Sequence, residues 1–182
     1  MDQRGLSPLV HFLRQNVEFL QEQTCLWRTI LTYAKGGNNK AFVELPLNKA
    51  FMLFEPGPVI LVSTNDGKKN NLMTISWHMV TDFTSSLALT TGPWNHSFKA
   101  MMKTKECVLA VPTVDIIEKV ISIGDCSGKE VDKFRKFELT PLAGSAVSAP
   151  LVKECLACLE CRITDYLENP DIFLLQGVQA WI

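Results

Sequence analysis

The chain has 182 residues, 47% of them hydrophobic, and a formal net charge of -1. That length supports one domain with a substantial core and not two full ones. The charge offers no basic excess for nucleic acid phosphates, and no polybasic run for anionic lipid stands out, so the expected ligand is small. Apolar residues near the N-terminus are interrupted by His11, Arg14, Gln15, Asn16 and Glu18. Neither a signal-peptide core nor a membrane span is expected, and the location read from this is cytoplasmic. In that compartment the six cysteines read as reduced thiols and not as a disulfide framework.

Ser7 followed by Pro8 predicts a helix start, because serine caps free amides and proline tolerates the first helical position. Leu9, Phe12, Leu13, Val17 and Leu20 recur at helical spacing, with Arg14, Gln15, Glu18 and Gln21 on the other face. Leu26, Trp27, Ile30 and Leu31 continue the apolar content up to Gly36-Gly37-Asn38-Asn39, a helix-breaking run. Residues 1–39 therefore read as an N-terminal helical extension and linker, and residues 40–182 as the main domain.

From Lys40 the texture becomes short Val, Ile, Leu and Thr runs between turn residues, which predicts an α+β domain that is mostly β. Val59 to Ser63 and Leu72 to Trp77, around Asn65-Asp66-Gly67, form a hairpin candidate. Ser86 to Thr91 is a third strand; Asn95 is placed to cap a short helix through Met102, and Cys107 to Val111 is a fourth strand. A longer helix is expected after Pro112, with an apolar stripe of Ile116, Ile117, Val120 and Ile121 and an end at Gly124. Leu156 to Ile163 and Ile172 to Val178 complete the strands.

The segment Asn71-Leu72-Met73-Thr74-Ile75-Ser76-Trp77, preceded by Pro56-Gly57-Pro58-Val59 and a turn, resembles the Asn-x-Met-Thr-x-Ser-Trp signature of the flavin reductase-like, or flavoredoxin, family. Gly92-Pro93-Trp94-Asn95-His96-Ser97-Phe98 is similar to the family's phosphate-side loop, and Thr104 to Pro112 to the strand after its short helix. Ser127-Gly128-Lys129-Glu130-Val131-Asp132-Lys133-Phe134 is similar to the family's Ser-Gly-x-x-Val-Asp-Lys-Phe segment, and Pro150 to Cys161 is similar to its Pro-x-Leu/Ile-x-x-Cys strand entry. The ordered blocks run from Glu44 to the end of the chain, which makes the resemblance far more specific than one short motif. It implies an FMN-binding split β-barrel with short flanking helices that forms a homodimer, with FMN near the subunit interface.

A flavin needs donors for its phosphate, donors for its N1 and O2 edge, and an apolar wall for the ring. By the resemblance, Asn71, Met73, Thr74, Ser76 and Trp77 belong to that site, with strand alternation expected to put Thr74 and Ser76 on one face and Trp77 opposite. On composition alone Trp77 reads as a packing residue. Asn95, His96 and Ser97 stand where free helix amides favour an anion, although the same pattern serves ordinary capping. Lys133 is the cation carried over from the Val-Asp-Lys-Phe segment; by itself a lysine usually belongs to the surface. The chain departs from the family at Trp94, where members commonly carry arginine, and His96 is the candidate to replace that charge in part. It departs again at Asn169-Pro170-Asp171, where relatives often have a histidine before the Leu-Phe pair. Its end at Trp181-Ile182, where members typically continue, implies a shortened pocket.

Cys155, Cys158 and Cys161 have metal-ligand spacing but no clear fourth ligand, so no metal site is expected. The chain lacks a Gly-x-Gly-x-x-Gly after a strand, a phosphate-binding P-loop and a Gly-x-Ser-x-Gly elbow. Two functional expectations follow. One is a non-covalent FMN oxidoreductase or electron carrier that receives reducing equivalents from NAD(P)H or from a redox protein. The other is a non-catalytic dimeric split-barrel protein with weakened or lost flavin binding, motivated by Trp94, Asp171 and the early C-terminus.

Overall fold

Ile60, Leu61 and Val62 succeed one another without a polar residue and are all fully buried, as in a strand covered on both faces. The computed structural model, which describes residues 44–48, 50 and 58–182, has ten strands among those residues, this one included. In chain order they are β1 (Glu44–Leu45), β2 (Ile60–Asn65), β3 (Asn70–Ile75), β4 (His78–Val80), β5 (Ser86–Thr90), β6 (Glu106–Pro112), β7 (Pro141–Leu142), β8 (Leu151–Val152), β9 (Cys155–Leu167) and β10 (Ile172–Trp181). The helices are α1 (His96–Thr104), α2 (Ile117–Gly124), which follows a 3-10 turn at Val114–Ile116, and α3 (Lys133–Lys136). The helix and linker expected over residues 1–39 lie outside the described residues, and so does the boundary after them.

One antiparallel sheet runs β3-β2-β6-β9-β10-β5-β4, with β1 on the end of β10, and β7 and β8 form a separate ribbon. Its two edge strands, β3 and β4, are joined by Ser76 and Trp77 alone. Six interstrand spacings in a flat sheet span about 29 Å, whereas three Cα steps from Ile75 to His78 reach at most about 11 Å. The sheet must therefore curl until its edges approach, with the open seam between β3 and β4. The Thr90 amide donates to the Trp77 carbonyl at 2.9 Å and holds the crossing chain to β5.

Register separates the two faces. Leu61, Ala110 and Cys158 lie in one row across β2, β6 and β9, and this outer face carries a cluster with Ile116, Val120, Ile123, Phe134 and Leu151 from the helices and β8. Val62, Leu109 and Leu159 form the neighbouring row; they point the other way and are fully buried inside the curl. Each such aliphatic side chain contributes about 1.5–3 kcal/mol by leaving water.

The expected hairpin is present with shifted ends: β2 runs on to Asn65 and β3 stops at Ile75, so Ser76 and Trp77 lie beyond the strand. The expected helix after Pro112 ends at Gly124, but its stripe differs. Ile116, Val120 and Ile123 are buried, while Ile117 and Ile121 are 47% and 55% exposed. The inward series 116, 120 and 123 has ordinary α-helical spacing, and Ile117 and Ile121 stand one residue further round, about 100° from it. Helix α1 extends two residues past Met102 to Thr104 and is capped by Lys105, which takes the left-handed conformation at φ 58° and donates its amide to the Met101 carbonyl. Strand β4 and the β7–β8 ribbon have runs too short to show a period. Cys155, Cys158 and Cys161 are buried free thiols, and burial pushes the Cys158 thiol up to about 12.

Glu160 is fully buried on the outer face of β9. Its carboxylate accepts from the amides of Ser145, Ala146 and Val147 at 3.0, 2.7 and 2.8 Å and from Trp181 Nε1 at 2.8 Å. Nearby, Glu106 Oε2 accepts from the Ser148 amide at 2.8 Å and its hydroxyl at 2.7 Å. The two carboxylates tie the β7–β8 connection to the sheet. Burial alone would raise the Glu160 pKa, but the amides and Trp181 outweigh it and the group is held below its ordinary value. A depressed carboxyl contributes stability above its unfolded pKa and loses it as pH falls through the folded one. Glu160→Gln, which turns an amide donor toward backbone donors, is expected to cost about 2–4 kcal/mol. Thermal melts from neutral pH into the acid range check this: the variant should melt lower at pH 7, and its deficit should shrink as the wild-type carboxylate protonates.

Candidate functional site

Strand alternation divides the Asn71–Trp77 segment between the two faces of β3. Leu72 and Thr74 point outward: Leu72 joins the outer cluster, and Thr74 Oγ1 donates to the Val120 carbonyl of α2 at 2.6 Å. Asn71 and Met73 point inward. Asn71 Nδ2 donates to Ser97 Oγ at 2.8 Å in the first turn of α1, and Thr91 Oγ1 lies 3.7 Å from Met73 Sδ. Asn71, Met73, Asn95, His96, Ser97 and Lys133 thus come together around one cleft of about 230 Å³. Thr74, Ser76 and Trp77 do not line it. Ser76 is exposed, and Trp77 is 64% exposed at the seam.

The N-terminus of α1 forms one wall. Asn95 holds the N-cap position but does not cap with its side chain; its Nδ2 donates instead to Thr91 Oγ1 at 2.9 Å. The first amides of a helix have no acceptor within it, so this end presents N–H groups and the positive end of the helix dipole to the cleft. Ser97 is buried, and its hydroxyl accepts from Asn71. The proton of that hydroxyl has no acceptor among the described residues.

The opposite wall is the turn from Gly124 to Gly128, which also brings in Cys126. Lys133 is buried beneath it, with Nζ donating to the Ile123 carbonyl at 2.8 Å. Burial lowers the pKa of this ammonium; Cys126 opposes the shift and Lys136 adds to it. Among the described residues the Lys133 ammonium has no carboxylate partner, an arrangement that favours an anion nearby. Asn71 Oδ1, also buried, has no hydrogen-bond partner in the described structure. A half-turn of the amide would exchange its ends, leaving a donor in that place.

Gly128 closes the bottom of the cleft. A Cβ there would lie 1.9 Å from Asn71 Oδ1 and 2.9 Å from His96 Cδ2, so only glycine lets the turn rest on the Asn71–Ser97 pair. Trp94 completes the rim, 64% exposed, with its ring against Gly92. Sequence reasoning left Trp94 and the Cys126-Ser127-Gly128 turn off the site, although the Ser-Gly pair before Val-Asp-Lys-Phe was the available signal.

These features fit the phosphate end of a flavin mononucleotide: a buried cation, helix amides, a hydroxyl proton to donate and an amide edge to pair. The volume is below the roughly 300 Å³ at which a pocket encloses a whole drug-sized ligand, so a flavin ring would lie outside this cleft.

Residues 52–182 match the model of the flavin reductase like domain. An uncharacterised protein of Archaeoglobus fulgidus is 32% identical over 111 residues, a match covering 60% of this chain and 63% of that protein. The fold of an FMN-binding domain of a flavin reductases-like enzyme from Shewanella baltica superposes with a TM-score of 0.74 at 22% identity, covering 80% of this chain and 78% of that one. Flavoredoxin from Methanosarcina acetivorans gives a TM-score of 0.62 at 28% identity, covering 68% and 67%. The curled antiparallel sheet is the split barrel expected from the sequence. With the family model spanning all of the barrel from β2 onward, the chain belongs to the flavin reductase-like family.

Proposed function

We propose that this protein binds FMN non-covalently and passes reducing equivalents through it, from NAD(P)H or a redox protein, as a cytoplasmic homodimer. The observation that carries this reading is Lys133, a buried ammonium whose acceptor is a backbone carbonyl, facing the open first turn of α1 across a narrow cleft. A phosphate dianion would satisfy both at once. FMN, when bound, supplies the acceptance of hydride or of single electrons.

The chain's own contribution is binding and orientation. Lys133 would neutralise charge, Ser97 and the α1 amides would donate, and the Asn71 amide would pair with a polar group next to the phosphate. Met73 would give an apolar contact at the inner end. The ring, outside the cleft, needs a wall, and Trp77, Met79 and Trp94, all more than 60% exposed, are available to provide one or to be covered by a second subunit. No helix among the described residues is long and apolar enough to cross a membrane.

The scaffold reading rests on Trp94, which puts an uncharged ring in the loop where relatives commonly carry arginine. The deciding experiment is the visible spectrum of purified protein after incubation with FMN and removal of free flavin, followed by anaerobic NADH or NADPH. Retained flavin bands that bleach support a reductase; retained bands that do not bleach support supply by a redox partner. Absence of retained flavin overturns the FMN reading in favour of the scaffold.

Two variants test the geometry. Lys133→Met is expected to weaken FMN binding about 10- to 100-fold, while leaving the melting temperature of the flavin-free protein unchanged or higher, because an uncompensated buried charge is removed. Gly128→Ala forces Asn71 away from Ser97 and is expected to reduce both FMN affinity and stability, the latter by about 1–3 kcal/mol. Calorimetric titration and thermal melts separate the two patterns.

A further inference from the structure

Lys133 shares its backbone acceptor with a thiol. Its Nζ donates to the Ile123 carbonyl at 2.8 Å, and Cys126 Sγ lies 3.9 Å from the same carbonyl oxygen. Sulfur and ammonium are thus no further apart than the sum of those two distances. Negative charge on the sulfur acts on Lys133 and offsets part of what burial takes from its pKa. Both groups line the cleft that faces the first turn of α1. Asp125 is the one carboxylate among the lining residues, and it is exposed to solvent.

Cys126 differs from the other described cysteines in access. Cys107, Cys155, Cys158 and Cys161 are buried, whereas Cys126 is half-buried and opens on the cleft. Burial pushes the Cys155, Cys158 and Cys161 thiols up, which keeps them inert. The thiolate is the nucleophile, and reactive cysteines occupy electropositive, partly exposed surroundings. A buried ammonium and an open helix N-terminus supply such surroundings to Cys126. The same cleft contains an acceptor that lacks a donor. Asn71, 7% exposed, leaves Oδ1 without a partner in the described structure. That atom is turned to the floor of the cleft at Gly128, where a Cβ would lie 1.9 Å from it. A phosphate dianion brings no proton to this oxygen; a hydroxyl bound to sulfur does.

We propose that Cys126 is a site of reversible oxidation by peroxide, and that its sulfenic acid form and the FMN phosphate exclude each other from the cleft. The exclusion rests on the FMN reading of that cleft. In the oxidation, the Cys126 thiolate attacks one oxygen of hydrogen peroxide. An S–O bond forms, the O–O bond breaks, and hydroxide leaves and takes up a proton to become water. Sulfur gives up two electrons and the peroxide gains them. Reduced flavin meeting dioxygen yields oxidised flavin and hydrogen peroxide, so the oxidant is a product of the chemistry the cofactor supplies. The added oxygen enlarges the wall beside Lys133 in a cleft of about 230 Å³, and takes room and hydrogen bonds that a phosphate needs. Two thiols restore the residue. The first forms a mixed disulfide with Cys126 and releases water; the second frees the Cys126 thiol and leaves as a disulfide with the first.

The test treats the full chain, flavin-free and FMN-loaded, with hydrogen peroxide, traps sulfenic acid with dimedone and locates it by peptide mass mapping. In separate samples without dimedone, flavin fluorescence gives the FMN dissociation constant before treatment, after it, and after dithiothreitol. C126S runs in parallel, with its own untreated constant as reference. The expected result is a dimedone adduct at Cys126 that saturating FMN suppresses about tenfold, and a loss of about tenfold in FMN affinity that dithiothreitol reverses. In C126S the constant should change less than about twofold on peroxide treatment. The proposal is overturned, with the FMN reading intact, by any of four results: no adduct at Cys126 in flavin-free protein, an adduct formed equally with FMN bound, an FMN constant that peroxide leaves unchanged, or an equal loss in C126S. A wild-type chain that binds no FMN before treatment overturns both.

Discussion

Ser76 and Trp77 are all that joins the two edges of the sheet, and this short reach governs much of what surrounds them. Because β3 and β4 are at opposite ends of the strand order, the link can be made only by curling, and curling gives the sheet an inside and an outside. The inside is filled by the Val62, Leu109 and Leu159 row; the outside needs the helices and the β7–β8 ribbon to cover Leu61, Ala110 and Cys158. The seam also leaves the inward residues of β3, Asn71 and Met73, next to α1. The cleft lies against β3, between the start of α1 and the 124–128 turn.

Each wall of the cleft is anchored from a different layer. Helix α1 is fixed from inside through Asn71 and Ser97, and the Gly124–Gly128 turn hangs from α2, which Thr74 fastens to the outer face of the same strand. Alternate residues of β3 thereby hold both walls, and a shift in its register by one residue would exchange their roles. Thr74 contributes to the site by holding α2, even though its hydroxyl is committed to Val120 and is not directed to a ligand.

The order of strands and the position of the α1 turn were legible in the sequence because turn residues punctuate runs of distinct period: Asn65-Asp66-Gly67, Gly92-Pro93 and Gly124 all fall at element ends. The inward and outward partition was less so. Alternation predicted Thr74 and Ser76 on one face, but β3 ends at Ile75, and where the strand stops depends on the crossing to β4, a long-range constraint with no local signature. The Ile117 and Ile121 assignment failed because apolar residues at 116, 117, 120, 121 and 123 fit the helical period on two neighbouring faces, and only packing on the outer cluster turns 116, 120 and 123 inward. Lys133 could be marked as a cation from its motif; that it is buried, with a carbonyl as its partner, comes only from the packing of α3 beneath the 124–128 turn.

That burial bears on Trp94, where the family resemblance implies an arginine. An arginine at the rim would add a charge and paired donors for phosphate; a tryptophan adds neither. It does add a large apolar surface beside a cleft that already contains a buried ammonium and a helix terminus, and both act more strongly on an anion as the surrounding dielectric falls. A rim that excludes water can thus offset part of the missing charge by strengthening the charges that remain. The compensation has a limit set by Lys133: burial also lowers the pKa of its ammonium, so excluding more water strengthens its field only while it stays protonated. Under the FMN reading, the phosphate itself supplies the negative charge that favours the protonated form, making anion binding and Lys133 protonation mutually reinforcing.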